Sequence, residues 1–381
     1  MAKVKGEKAV WSSVIIVIVF ILIGGRFGGD LLLGGAGSED ESGPETRVQQ
    51  TVDRDVFDDL DSDTEQGETF GVHRFGEREA PRKASDAIRL ATYNVENLFD
   101  GVDDPASPKN DVEWEKPEAE VASVAAAIRA LDADILALQE IESESVLRAF
   151  RDEHLQGLGY DHIASLEAGD SRGIEQSVLS RFPITDARVW DNYDTGSVHP
   201  PRWRDRPNKY AGERIVLRRS PLMATVEVPS SVTGGAPYEL TLLVVHHKSG
   251  GGNDYWREAE ADAIIGMIKA FAGGADRNVA VLGDFNAKLY EDSVKAYLES
   301  GYQDAWRRRP RGPEARTHES GRAIDFILVN QAMAAEVVPN SAFVLGTIAR
   351  PEGVDFRTYD PPPGYAADHY PAAVDLRPVD R

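Results

Sequence analysis

The sequence of 381 residues contains no cysteine. Disulfides, thiolate metal sites and cysteine nucleophiles are therefore excluded, and the fold is indifferent to the redox state of its compartment. A surplus of positive charge is also missing: 42 basic residues face 64 acidic ones, for a formal net charge of −22. Proteins that grip nucleic acid by bulk electrostatics are normally basic, because phosphate neutralisation supplies most non-specific affinity. That mode is excluded here, which leaves room for a local site where bound cations or clustered arginines reverse the field. There is no Gly-x-Ser-x-Gly elbow, no phosphate-binding P-loop, no His-Glu-x-x-His and no internal repeat. Serine-esterase, nucleotide P-loop and zincin chemistries lose their usual signatures.

What is present divides the chain into four parts. Residues 1–8 are basic, with Lys3, Lys5 and Lys8, and residues 9–25 form an apolar stretch of 17 residues before Arg26. A bilayer-crossing helix needs about 17–25 residues, so this stretch reads as a transmembrane anchor. Lysines before it and acids after it place the N-terminus inside and the body outside. The competing reading is a cleaved signal peptide, with Gly34–Gly35–Ala36–Gly37 as a small-residue region. Both export the chain, either tethered by a single pass or secreted. Residues 26–85 are acid-rich, with sparse, unperiodic apolar residues, and read as a disordered linker. A packed domain spans residues 86–381.

Within that domain, strands are expected at Ile88–Val95, Ile135–Leu138, Ser177–Leu179, Leu222–Val228, Leu240–Val245, Val279–Leu282, Ile324–Val329 and Ala372–Leu376. Pro117 opens a helix whose Val121, Val124, Ala125, Ile128 and Leu131 share one face. A second helix runs from Asp254 to Phe271 and is closed by Gly273–Gly274. Many strands with interspersed helices predict sheets sandwiched between helical layers.

The apolar runs end or begin, again and again, on a carboxylate, amide or imidazole. The positions are Asn94 and Glu96, Glu140, His246, Asp284 and Asn286, Asp325, and Asp368 with His369. Rigid strand ends can aim several chain segments at one point. Taken singly, each has a plainer explanation: Gly283–Asp284–Phe285–Asn286 suits a turn, and Glu140 suits a helix start. Asp325 within Ala323–Ile324–Asp325–Phe326–Ile327–Leu328 resists that treatment, since a carboxylate in an apolar run is costly without a partner or metal. Carboxylates and amides without cysteine suit a hard cation: Mg²⁺, with Mn²⁺ or Ca²⁺ as alternatives. Imidazoles beside carboxylates suit acid–base work near neutral pH. Metal-assisted hydrolysis of a phosphate ester is the chemistry that remains.

Thr92–Tyr93–Asn94–Val95–Glu96–Asn97–Leu98, Leu138–Gln139–Glu140, His246–His247–Lys248–Ser249, Gly283–Asp284–Phe285–Asn286, Ile324–Asp325–Phe326–Ile327–Leu328 and Ala367–Asp368–His369 stand in fixed order. In this the chain resembles the endonuclease/exonuclease/phosphatase superfamily. That group includes pancreatic-type deoxyribonucleases, abasic-site endonucleases, sphingomyelinases and inositol-polyphosphate phosphatases. The resemblance covers about residues 88–377 and implies a four-layer α/β sandwich of two mixed β-sheets flanked by helices, with the active site at one edge. It also implies Glu140 as principal metal ligand, with Glu96 and Asp368 in the metal region. Asn94 would position the phosphate, Asp284 would orient or deprotonate the attacking water, and Asn286 would hold a phosphoryl oxygen. His369 would contact the scissile phosphate in a tautomer fixed by Asp325. His246 would donate a proton to the leaving group, in preference to His247, which falls where relatives usually carry an apolar residue.

Ala287 departs from the pattern, since relatives often have Asp there, and Arg172–Gly173–Ile174–Glu175 replaces an Asp with small apolar residues. Arg172 and Glu175 line the cleft or form a strand-edge ion pair. Two arginine-rich stretches are the candidates for a substrate rim. One holds Arg202, Trp203, Arg204, Arg206, Lys209 and Arg214; the other holds Arg307, Arg308, Arg309, Arg311 and Arg316. The plainer reading is two solvated loops. Asn94, Arg172 and Arg214 are thus the expected substrate contacts. Nucleic acid leads as the phosphate-ester substrate, followed by a lipid or inositol phosphate. The alternative from another class is an inert binding module of the same fold.

Overall fold

The computed structural model describes residues 71–103, 114–273, 276–306, 312–355 and 358–379. The expected N-terminal anchor or signal segment and most of the acidic linker lie outside these residues. No described helix is long and apolar enough to cross a membrane.

Two mixed six-stranded sheets form the domain. In the first, Ile88–Leu98 runs parallel to Ile135–Ile141 and antiparallel to Ala372–Leu376, and Glu175–Ser180 and His162–Ser165 extend the far side. In the second, Tyr238–His246 runs parallel to Asn278–Asp284, with Leu222–Val228 and Asp325–Val329 antiparallel on either flank. The long strands read as continuous apolar runs because both faces are covered. Leu90 and Ile135 point into a core shared with Leu222, Leu242 and Leu282 of the other sheet. Their neighbours Ala91 and Leu136 join Val124, Ile128 and Leu147 of the outer helices Glu118–Leu131 and Glu144–His154. On the opposite side, Leu243 and Val281 pack against Ile264 and Ile268 of the helix Asp254–Phe271. Helix, sheet, sheet and helix follow in order, each face apolar where it meets the next.

The start of the domain departs from the sequence expectation. Residues 71–85, assigned to the acidic linker, are ordered against the body of the domain. Val72–His73 pairs with Ile348–Ala349, and Glu77 exchanges backbone hydrogen bonds with Val344 and Gly346 at 2.7 and 2.8 Å. Phe75 packs on the central core and Ala80 on the outer one. Main-chain pairing and a few scattered side chains supply this attachment, and composition registers neither.

Candidate active site

One edge of the sandwich collects the polar strand ends. His246, Asp284 and Asp325 occupy one row of the second sheet, with Cα partners His246↔Asp284 and Asp284↔Asp325. Gly283 makes that row possible. Its φ is 137°, and a Cβ there would lie 2.0 Å from the Val245 carbonyl oxygen. The first sheet contributes Asn94, whose Nδ2 donates to Asp284 Oδ2 at 3.3 Å.

The first-sheet strands are bulged at this edge. Register slips between Asn94 and Leu98 and between Gln139 and Ile141. Glu96, Asn97 and Glu140 adopt φ values of 53°, 56° and 66°. Such conformations cost roughly 1–3 kcal/mol each and concentrate where function demands them, and bulges commonly re-aim a side chain. Glu140 is re-aimed here. Its carboxylate accepts from Asn97 N at 3.1 Å, pairs with Arg172 Nη2 at 3.3 Å and approaches His246 Nε2 at 3.7 Å. Arg172 also donates to the Asn97 side chain, which places it beside Glu140 at this edge.

Asp284 is the hub. It accepts from Asn286 N at 2.7 Å and from Asn286 Nδ2 at 2.9 Å, with His246 Nε2 at 3.5 Å and His369 Nε2 at 3.8 Å. Burial, reinforced by Asp325 and Glu140 and opposed by His369, pushes its carboxyl up to about 7. His369 Nδ1 donates to Asp325 at 2.9 Å. Burial disfavours charge on His369, but Asp325, Asp284 and Asp368 outweigh it and hold the imidazole well above its ordinary value. These carboxylates favour its protonated form, with Nε2 towards Asp284.

His246 is the opposite. Arg219 Nη1 lies 2.6 Å from its Nε2, and a guanidinium only donates. Nε2 therefore accepts and the proton resides on Nδ1, which is buried without a hydrogen-bond partner. Burial, then Arg219 and Arg172, hold this imidazole well below its ordinary value. The resemblance implied a proton donor at His246; as arranged, its Nε2 is an acceptor. His247 turns away to Glu260 and Tyr297, at 3.1 Å from each.

Glu96 and Asp368 meet on the other flank. Glu96 Oε2 accepts from Tyr365 Oη at 2.7 Å and from Asp368 N at 3.0 Å. Burial and the Asp368 charge push Glu96 up to about 7. Asp368 lies 3.4 Å from His318 Nε2 and 3.8 Å from His369 Nε2. Burial works against its charge, but these imidazoles hold it below the ordinary carboxylate value. Ligand atoms of His318, Asp368 and His369, and separately of Asp284, Asp325 and His369, lie within 4.8 Å of one another. Of the expected metal residues, Asp368 is in one of these groups and Glu140 and Glu96 are in neither. Beside Asp368 opens a cavity of about 540 Å³, lined by Arg74, His318, Arg322 and Arg350 among others.

Of the expected site residues, Arg214 alone stays out. It is exposed and paired with Asp194 across a two-stranded ribbon, where a facing carboxylate captures it. Of the second arginine stretch, Arg307, Arg308, Arg309 and Arg311 lie outside the described residues. Sequence reasoning missed Arg219, His318 and Tyr365. Arg219 lies in the loop before the strand Leu222–Val228, outside the apolar run that marks it, and His318 reaches Asp368 only through tertiary contact. Tyr365 stands near the Ala367–Asp368–His369 motif, which was its one available signal.

Several solved structures are similar to this chain. The catalytic domain of human nocturnin with bound sulfate is 16% identical, covers 77% of this chain and 95% of its own, and superposes with a TM-score of 0.48. TDP2 from D. rerio, complexed with a single-strand DNA product, is 14% identical, with coverage of 76% and 98% and a TM-score of 0.48. The mannosyl-6-phosphatase Bt3783 of Bacteroides thetaiotaomicron is 18% identical, with coverage of 76% and 99% and a TM-score of 0.46. No curated protein matches. The sequence pattern of one family spans residues 91–347, from the strand that carries Asn94 to the loop beyond Val344. Matched over that span, with two mixed sheets whose polar ends converge on one edge, the chain belongs to the Endonuclease/Exonuclease/phosphatase family.

Proposed function

We propose that this chain is a divalent-metal-dependent phosphoesterase, specifically a nuclease-like phosphodiesterase. The observation that carries the reading is the convergence of Asn94, His246, Asp284, Asn286, Asp325 and His369 on one edge, from strands far apart in sequence. A binding module has no need of a carboxyl near 7 between a cationic and a neutral imidazole. Environments that push neighbouring titrations apart assign acid and base roles.

Asp284, poised near 7, is matched to take a proton from an attacking water at neutral pH. The Asn94 amide, anchored on Asp284 through one N–H, offers the other to a phosphoryl oxygen, while Asn286 spends both on Asp284 and the His247 carbonyl and so holds Asp284 in place. His369 presents Nε2–H to the phosphate, and Asp325 keeps that tautomer and charge. The donor set fits a hard cation, because Glu96 and Asp368 face each other with Glu96 held up by burial and by that second charge. Glu96, Asp368 and Glu140 would hold the ion. When bound, it supplies charge neutralisation at the phosphoryl oxygen.

The test is hydrolysis by the full-length chain of plasmid DNA, an inositol phosphate and sphingomyelin, each with EDTA, Mg²⁺, Mn²⁺ and Ca²⁺. Metal-dependent DNA cleavage that disappears in Asp284→Asn is the expected result. Cleavage confined to the lipid or inositol ester moves the substrate class, and no metal-dependent hydrolysis of any ester overturns the reading.

A further inference from the structure

Beyond the catalytic edge lies a pocket of about 430 Å³ between the loop that carries Trp203 to Tyr210 and the start of the helix Asp254–Phe271. Its walls carry four aromatic side chains, Trp203, Tyr210, Tyr255 and Trp256, and four cations, Arg206, Lys209, Arg218 and Lys248. No carboxylate among the described residues lines it, in a protein whose acids outnumber its bases 64 to 42. The cations lie over rings instead: Lys209 Nζ is 4.6 Å from the Tyr210 centroid, and Arg218 is 5.3 Å from that of Trp256.

The aromatic wall is built rather than incidental. Buried His199 touches Tyr255 Oη at 3.0 Å and packs edge-on against Trp256 at 4.5 Å. Buried Asn208 donates to Tyr255 Oη at 3.2 Å and accepts from Tyr210 N at 3.0 Å. Trp203 Nε1 donates to Gly252 O at 2.8 Å. Gly252 suits that position because its φ of 82° lies in the left-handed region that other residues rarely adopt. These contacts fix the rings in advance of any ligand, which lowers the ordering cost of binding. The pocket also adjoins the chemistry along the chain: Arg218 precedes Arg219, which contacts His246, and Lys248 follows His247.

We infer that this pocket is a nucleotide subsite that stacks a base of single-stranded nucleic acid on its rings and guanidiniums while its cations hold the flanking phosphate. The inference rests on the phosphodiesterase reading and names its substrate class. Rings and flat guanidiniums accept any base face, and single-stranded bases are the ones free to enter. A choline headgroup also sits on aromatic faces, but its positive charge would meet the four cations of this pocket, whereas a base is neutral and its phosphate is drawn to them.

The experiment measures binding, by fluorescence anisotropy in EDTA, of a labelled oligothymidylate and of an equally long abasic oligonucleotide to the full-length chain. No turnover is needed, so the result is separate from whether hydrolysis occurs. The oligothymidylate should bind roughly fivefold to a hundredfold more tightly than the abasic strand. Tyr210→Ala and Arg218→Ala should shrink that ratio towards one, and Tyr210→Phe should keep it. Equal affinity for the two strands in the unaltered chain overturns the inference. So does a ratio unchanged in Tyr210→Ala and Arg218→Ala, or displacement by inositol hexakisphosphate of a strand bound without regard to its bases.

Discussion

Asp284 and Lys209 stand for two regions assembled on different terms. Asp284 sits on a strand, is 1% exposed and touches four other polar groups of the site. Lys209 sits on an exposed loop, with the Tyr210 ring beneath it and no carboxylate in its pocket. At the edge proposed for catalysis, acids and bases neutralise each other, and burial with neighbouring charges pushes their titrations apart. In the pocket, cations lie beside aromatic faces with no carboxylate among the described lining residues. Groups that move protons need fixed geometry and a dry setting, which strand ends between packed sheets supply. Groups that recognise a substrate need reach and accessible surface, which loops supply.

This contrast predicts where damage falls. Asp284→Asn or His369→Ala should lower kcat by about 10²–10⁴-fold while oligonucleotide affinity in EDTA stays within twofold. Stopped-rate kinetics and anisotropy on the same preparations check both halves. Asp325→Asn should cost less, roughly tenfold to a hundredfold, and move the alkaline limb of the pH–rate profile to lower pH. The reason is that Asp325 is the leading charge that holds the His369 imidazolium above its ordinary value. An unmoved alkaline limb would mean that Asp325 only packs. In the pocket, Lys209→Ala with Arg218→Ala should raise KM for single strands by about fivefold to a hundredfold with kcat little changed.

The scaffold itself offers a further test. Gly283→Ala places a methyl group against the Val245 carbonyl at a backbone φ of 137°. The expected loss is on the order of 3 kcal/mol, measurable by urea unfolding. The smallest effect concerns pH. Glu96 is raised to about 7 from an ordinary value of 4.5, so the folded state binds more protons than the unfolded one across that window. Metal-free stability should therefore fall as pH rises from about 4.5 through 7. Mg²⁺ should restore more of the melting temperature at pH 8 than at pH 5, because the ion replaces the lost protons. A melting temperature indifferent to Mg²⁺ at both pH values would remove Glu96 from the metal region.

Much of the catalytic edge was legible because its residues interrupt long apolar strands. A buried two-faced strand leaves an unbroken hydrophobic run, and Asp284, Asp325 and His246 stand out at the ends of such runs. The strands Leu222–Val228, Tyr238–His246 and Ala372–Leu376 were readable for the same reason. Short or half-exposed elements left no such trace: Ile184–Arg188 alternates irregularly, and Val72–His73 is held by main-chain pairing alone. Bulges at Glu96 and Glu140 depend on strand register, and the contact of Arg219 with His246 on the pairing of neighbouring strands, which no local pattern encodes. Arg214 misled because an arginine beside aromatics looks alike in sequence whether it faces a cleft or a surface carboxylate.

The most direct test is the rate at which the full-length chain hydrolyses bis-para-nitrophenyl phosphate in Mg²⁺, beside an Asp284→Asn/His369→Ala variant and an EDTA control. That ester is too small to need the loop pocket, so it reads the strand-end chemistry alone. Metal-dependent hydrolysis, reduced at least about 10²-fold in the variant, is the predicted result. Hydrolysis at the same rate in the variant, or undiminished by EDTA, would contradict the assignment of catalysis to this edge.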